Sequence, residues 1–165
     1  MSVLKNLRGT QKDFGVLTKA INLANHTVTI CVNENSFPKK YRWILTNQIV
    51  QTAFEIATNI RKANKLNPEK STARYIQRRE LQDAADGDCD ALLTLIEIAW
   101  KVMHLSEQKV EYWTGLVVQV QKAIEGWRES DKKRFGDPES IEQEIEKLKK
   151  ETAALRKLLS EKEIA

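Results

Sequence analysis

Cysteine, proline and glycine are all scarce in this 165-residue chain, which holds two, three and six of them. Two cysteines, Cys31 and Cys89, cannot supply a disulfide framework, and neither has the Cys or His neighbours that a zinc site requires. Both sit in apolar helical patterns and read as small buried thiols, which suits the reducing cytoplasm. So few glycines and prolines leave little turn signal, and long regular elements are expected. No apolar run approaches the roughly 20 residues that span a bilayer, and Met1-Ser2-Val3-Leu4-Lys5-Asn6-Leu7-Arg8 lacks the apolar segment of a secretory leader. The expectation is a protein that is neither membrane-spanning nor secreted by such a leader.

Enzyme signatures are missing as well. There is no Gly-rich phosphate loop, Gly-x-Ser-x-Gly elbow, His-Glu-x-x-His or Cys-x-x-Cys, so the chain is expected to be no enzyme and to need no cofactor or metal. His26 reads as a helix-surface residue and His104 as a helix C-terminal residue, where a cation is favoured. The acidic cluster Asp83, Asp86, Asp88 and Asp90 surrounds Gly87, but the offsets are not those of a calcium loop. It reads as a solvated face of a continuing helix, or as one side of a subunit contact.

What the chain does have is helical periodicity. Pro38, Pro68 and Pro138 each stand where the first residue of a helix would stand, since proline lacks the N–H that a helix start leaves unpaired. Apolar residues then recur at spacings of three and four. The first stripe is Leu17, Ile21, Ala24, Val28 and Cys31; the second runs from Tyr41 through Leu45, Ile49, Ala53, Ile56 and Ile60 to Ala63. The third is Leu81, Ala85, Leu92, Ile96, Ala99 and Met103. The fourth, after a candidate cap at Ser106, is Val110, Trp113, Val117, Val120, Ile124 and Trp127. The β-branched stretch Thr27 to Val32 has strand propensity, but a lone strand has nothing to pair with. The expected fold is all-α: an antiparallel four-helix bundle over residues 1–136 and a C-terminal amphipathic or coiled-coil helix over residues 137–165. Trp43, Trp100, Trp113 and Trp127 exceed what one modest core needs, so some are expected at a subunit interface.

Charge is unevenly spread. Residues 137–165 carry eight acids and six bases, which leaves 21 bases against 15 acids in residues 1–136. From Lys39 to Glu80, ten bases face three acids. Lys39, Lys40, Arg42, Arg61, Lys62, Lys65, Arg74, Arg78 and Arg79 are therefore the candidate nucleic-acid-binding residues, contacting phosphates without reading sequence.

The last segment has a different rhythm. Ile141, Ile145, Leu148, Thr152, Leu155 and Leu159 form a heptad seam with Ile145, Thr152 and Leu159 at a and Ile141, Leu148 and Leu155 at d. Glu144 and Glu151 fall at g, and Lys149 and Arg156 at e. Those six seam residues are the candidate oligomerisation site; a helix folded back on the bundle, or an appended segment, gives the same pattern.

Around the second helix, Phe37-Pro38-Lys39-Lys40-Tyr41-Arg42-Trp43, followed by Leu45, Gln48-Ile49-Val50, Ile56, Asn59-Ile60 and Ala63-Asn64, resembles the accessory variability determinant (Avd) proteins of diversity-generating retroelements. Asp90-Ala91-Leu92-Leu93, Ile98-Ala99-Trp100, Tyr112-Trp113 and Gly126-Trp127-Arg128 are similar to later helices of that family, and Met1 to Arg8 to its opening. The resemblance covers most of residues 1–135. It implies a basic four-helix bundle that forms a homopentamer and binds a reverse transcriptase, template RNA and cDNA or DNA with low sequence specificity. The chemistry, mutagenic cDNA synthesis, would belong to the reverse transcriptase. The four-helix scaffold proteins of the ribosomal RNA intervening-sequence type share the implied fold and a similar start to the second helix, and offer the alternative reading of a structural, oligomerising protein.

Overall fold

The computed structural model describes residues 15–164, with side chains to Ser160. The Met1 to Arg8 opening lies outside the described residues. Among those described, the chain is all-helical: α1 Gly15–Cys31, α2 Asn47–Lys65, α3 Thr72–Met103, α4 Glu107–Phe135 and α5 Pro138–Ile164. Helix α1 packs on α2 and α4, and α3 packs on the same two from the other side. Their apolar stripes meet in one core that contains Leu23, Ile56, Leu92, Trp113 and Ile124, all fully buried.

Helix α1 absorbs its β-branched residues by hydrogen bonding within the turn. Thr27 Oγ1 donates to the Leu23 carbonyl at 2.8 Å, and Thr29 Oγ1 to that of Asn25 at 2.9 Å. Thr27 Oγ1 also accepts from the indole N–H of Trp113 at 2.9 Å, so neither buried polar group is left unpaired. After α1, Asn33 closes a turn that drops Phe37 into the end of the core, edge-on to Trp113 at 6.1 Å.

Pro38 stands one residue before helical geometry, extended at ψ 143° as the cap rather than the first residue, and the α-helix expected from there begins only at Asn47. A 3₁₀ turn, Lys39–Tyr41, and a π-helical turn, Arg42–Thr46, come first. The cause is the spacing of Tyr41, Leu45, Ile49 and Ala53, three successive steps of four, which drift off a 3.6-residue period. One wider π turn restores the phase and keeps Leu45, Ile49 and Ala53 buried. Trp43 and Ile44 are turned outward, 82% and 69% exposed.

Pro68 opens a single 3₁₀ turn, and α3 starts at Thr72 with Ser71 Oγ accepting from the Arg74 N–H at 3.2 Å. Helix α4 begins after Ser106 and ends at Gly136, whose φ of +90° suits glycine. The Tyr75 hydroxyl donates to the Gly136 carbonyl at 2.8 Å and fixes where α5 departs.

Both thiols lie in the core, and burial pushes Cys31 and Cys89 up to about 12, with Asp86, Asp88 and Asp90 adding to the effect at Cys89. At pH 8 about one thiol in ten thousand would then be thiolate. An aromatic disulfide reagent should find no reactive cysteine in the native protein and both after denaturation. Fast native labelling would mean that α1 or α3 opens locally.

Candidate nucleic-acid interface

The ends of three helices meet at one pole of the molecule. The link from α2 to α3 is short, so the last turn of α2 and the first of α3 lie together, and Arg134 on α4 reaches Glu69 in that link at 3.3 Å. This pole gathers Arg61, Lys62 and Lys65 from α2, Arg74 from α3, and Lys70 between them. All but the half-buried Arg61 are exposed, and none of the five makes an ion pair among the described residues.

Sequence reasoning missed a second contribution. Lys132, Lys133 and Arg134 crowd the last turn of α4 at the same pole. The signal was three consecutive bases just before the Gly136-Asp137-Pro138 stop. Glu69 and Asp137 offset Arg134 and Lys132, the latter at 3.4 Å, while Lys133 has no such partner among the described residues.

Helix electrostatics accounts for part of this charge and not the rest. Lys62 and Lys65, like Lys132 to Arg134, stand at helix C-termini, where cations offset the negative end of the dipole. Lys70 and Arg74 stand at the positive end of α3, whose first turn has no acid. There they oppose the dipole, and an anion would relieve the repulsion.

Lys39, Lys40 and Arg42 are exposed at the opposite end of α2. Nineteen residues of helix separate them from Lys65, about 28 Å at ~1.5 Å per residue. Lys39 pairs with Glu34 at 3.1 Å, and Lys40 lies over the Tyr41 ring at 4.9 Å. The structure therefore divides the candidate residues between two poles.

Arg78 leaves the candidate set. Arg78 is buried: its Nε and Nη2 grip the two carboxylate oxygens of Asp131 at 2.7 and 2.9 Å, and Nη1 donates to the Leu66 carbonyl at 3.2 Å. Its guanidinium also covers the Trp127 ring at 4.7 Å, so it cannot reach a phosphate. Arg79 is half-buried and pairs with Asp83 at 3.4 Å.

The acidic cluster is a partly solvated face that also ties helices together, with Asp83 and Asp90 exposed and Asp86 and Asp88 half-buried. Arg128 on α4 donates to Asp83 and Asp86, each at 2.8 Å, Asn59 on α2 to Asp88 at 3.0 Å, and Gln121 on α4 to Asp90 at 2.7 Å. These carboxylates fasten α3 to both neighbours. Burial raises the pKa of Asp88 against the hydrogen bond from Asn59. Among the described residues no three His, Cys, Asp or Glu side chains are grouped to hold a metal ion. His26 packs edge-on to Tyr112 at 4.9 Å, half-buried rather than on the open surface, and His104 caps α3 with φ +51°.

Comparison of the chain with protein-family models, with curated proteins and with solved structures yields no match in any of the three. The likeness to the accessory proteins rests on the residues quoted for it. Of these, Trp113, Trp127, Ile49, Ile56 and Ile60 are core residues, which many helical proteins would share, whereas the exposed Trp43 and Trp100 have no role in this core. No helix among the described residues is long and apolar enough to cross a membrane.

Proposed function

We propose that this chain is a non-catalytic accessory subunit, an antiparallel four-helix bundle that binds nucleic acid through its basic pole and works in the cytoplasm with a reverse transcriptase of the diversity-generating retroelement type. The observation that carries the reading is the charge at the junction of α2, α3 and α4, above all Lys70 and Arg74 at a helix end that disfavours cations. Contacts of exposed lysine and arginine with phosphates are electrostatic and indifferent to sequence, as required of a protein that handles template RNA and its cDNA alike. The exposed Trp43 and Trp100 support assembly of several copies, for which the family resemblance implies five.

Binding should therefore respond steeply to salt. Six phosphate contacts would cost about a thousandfold in affinity between roughly 50 and 200 mM salt. Fluorescence anisotropy with a labelled single-stranded RNA and with duplex DNA measures this directly, and a slope near zero would end the nucleic-acid reading. Addition of the protein to a retroelement reverse transcriptase should raise the cDNA yield from its template. An unchanged yield, with no co-purification of the two, would remove the polymerase from the proposal.

A further inference from the structure

We propose that two copies of this chain pair through α5 as a parallel two-stranded coiled coil. The inference stands independently of the nucleic-acid reading, and it departs from the fivefold assembly that the resemblance implies, because a two-stranded tail does not match a five-copy body. Helix α5 does not fold back on the body: past Ile145 every described side chain is exposed, with Leu148, Leu155, Leu158 and Leu159 at 54–63%. Four leucines within twelve residues of open helix form an apolar stripe that nothing among the described residues covers.

Self-complementary charge selects the occupant. In a parallel pair, Glu144 and Glu151 at g of one copy face Lys149 and Arg156 at e of the other, and the reciprocal contacts form as well. Antiparallel pairing would set glutamate on glutamate and base on base. Glu144, Lys149 and Arg156 make no ion pair within the chain among the described residues, and Glu151 reaches Lys147 only at 4.0 Å. A helix of unrelated sequence would need to reproduce this pattern, whereas a second copy carries it by construction.

The central heptads favour two strands: Ile145 and Thr152 are β-branched at a, with Leu148 and Leu155 at d, the combination that favours a dimer, whereas Leu159 at a and Ile141 at d, at the two ends of the seam, lack it. Thr152 enters the seam already satisfied, its Oγ1 donating to the Leu148 carbonyl at 2.7 Å. The pairing begins after the first turn, because Asp137 at g would meet Glu142 at e, and Asp137 is instead held by Lys132 at 3.4 Å. As α5 leaves from the basic pole, the parallel pair brings two such poles to one end of the dimer.

The test uses the full chain. Leu148→Cys places a thiol at a d position, while the two native thiols are closed in the core. In thiol–disulfide exchange buffer it should convert almost completely to a covalent dimer. Conversion that stalls near two thirds would show about three strands and overturn the two-stranded form; no cross-link would overturn parallel, in-register pairing. In parallel, Lys149→Glu/Arg156→Glu and Glu144→Lys/Glu151→Lys should each show a lower mass than the wild type by light scattering, and mixing them should restore it. The altered side chains are exposed, so circular dichroism should report an intact body in each variant. Unchanged mass in either variant alone would overturn the proposal, whatever association the body has of its own.

Discussion

Asp131→Ala should lower the free energy of unfolding by about 3–5 kcal/mol, the range for removing one partner of a buried ion pair. Asp131 is 2% exposed and accepts from Arg78 Nε and Nη2 and from Gln82 Nε2 at 2.7–2.9 Å. Truncation would leave a buried guanidinium with only the Leu66 carbonyl and the Trp127 face, and a buried amide with no acceptor. Against a total stability of about 5–15 kcal/mol, that loss would bring many such proteins near unfolding at room temperature. Replacing both charged partners with apolar groups, as in Arg78→Met/Asp131→Leu, should cost less than either single truncation, because no charge is then stranded. Urea denaturation of the three variants measures the effect. A loss under about 1 kcal/mol for Asp131→Ala would mean that water reaches the pair and that α3 and α4 are fastened elsewhere.

That pair also shows where the sequence was legible and where it was not. The stripe of α4 from Trp113 to Trp127 is apolar at every step and lies in the core as its spacing indicates. The buried positions of α3 are Tyr75, Arg78, Gln82, Ala85, Cys89, Leu92, Ile96 and Ala99, an unbroken alternation of three and four. Its first part escaped notice because arginine and glutamine hold core positions there. Extending the register backward from Ala85 would have reached Arg78 and Gln82, and extending that of α4 forward from Trp127 would have reached Asp131. Complementary charges at core positions of two helices are a readable sign of a buried pair. The acidic cluster could not be read in this way, since Asn59, Gln121 and Arg128 lie on other helices and only packing brings them to Asp83 through Asp90.

The candidate interface was legible as charge and not as position. A run of ten bases between Lys39 and Glu80 says nothing about which of them share a pole, and the irregular turns before Asn47 were hidden in steps of four. Once the helices are placed, the local basic density divides between two ends of α2, and the contribution of α4 adds to one of them.

Reversing Arg61, Lys62 and Lys65 to glutamate should therefore weaken binding to RNA and DNA far more than reversing Lys39 and Lys40. The triple variant removes three cations from the pole where Lys70, Arg74 and Lys133 remain, and adds three repulsive charges beside the same phosphates. At about 0.7–0.9 per contact, losing three contacts should flatten the salt dependence of log affinity by roughly 2–3 units. The distal pair lies about 28 Å away along α2, three times the ~8–10 Å over which surface charges act at physiological salt. Lys62 and Lys65 are exposed, and the half-buried Arg61 has no ion pair among the described residues, so the helical signal should persist. Exchanging two favourable helix C-terminal cations for anions should cost about 1–4 kcal/mol. Anisotropy titrations of both variants, with circular dichroism as the control for folding, decide between the poles. Equal weakening by the two variants would spread the contact along α2, and full binding by the triple variant would take the nucleic acid away from the junction of α2, α3 and α4.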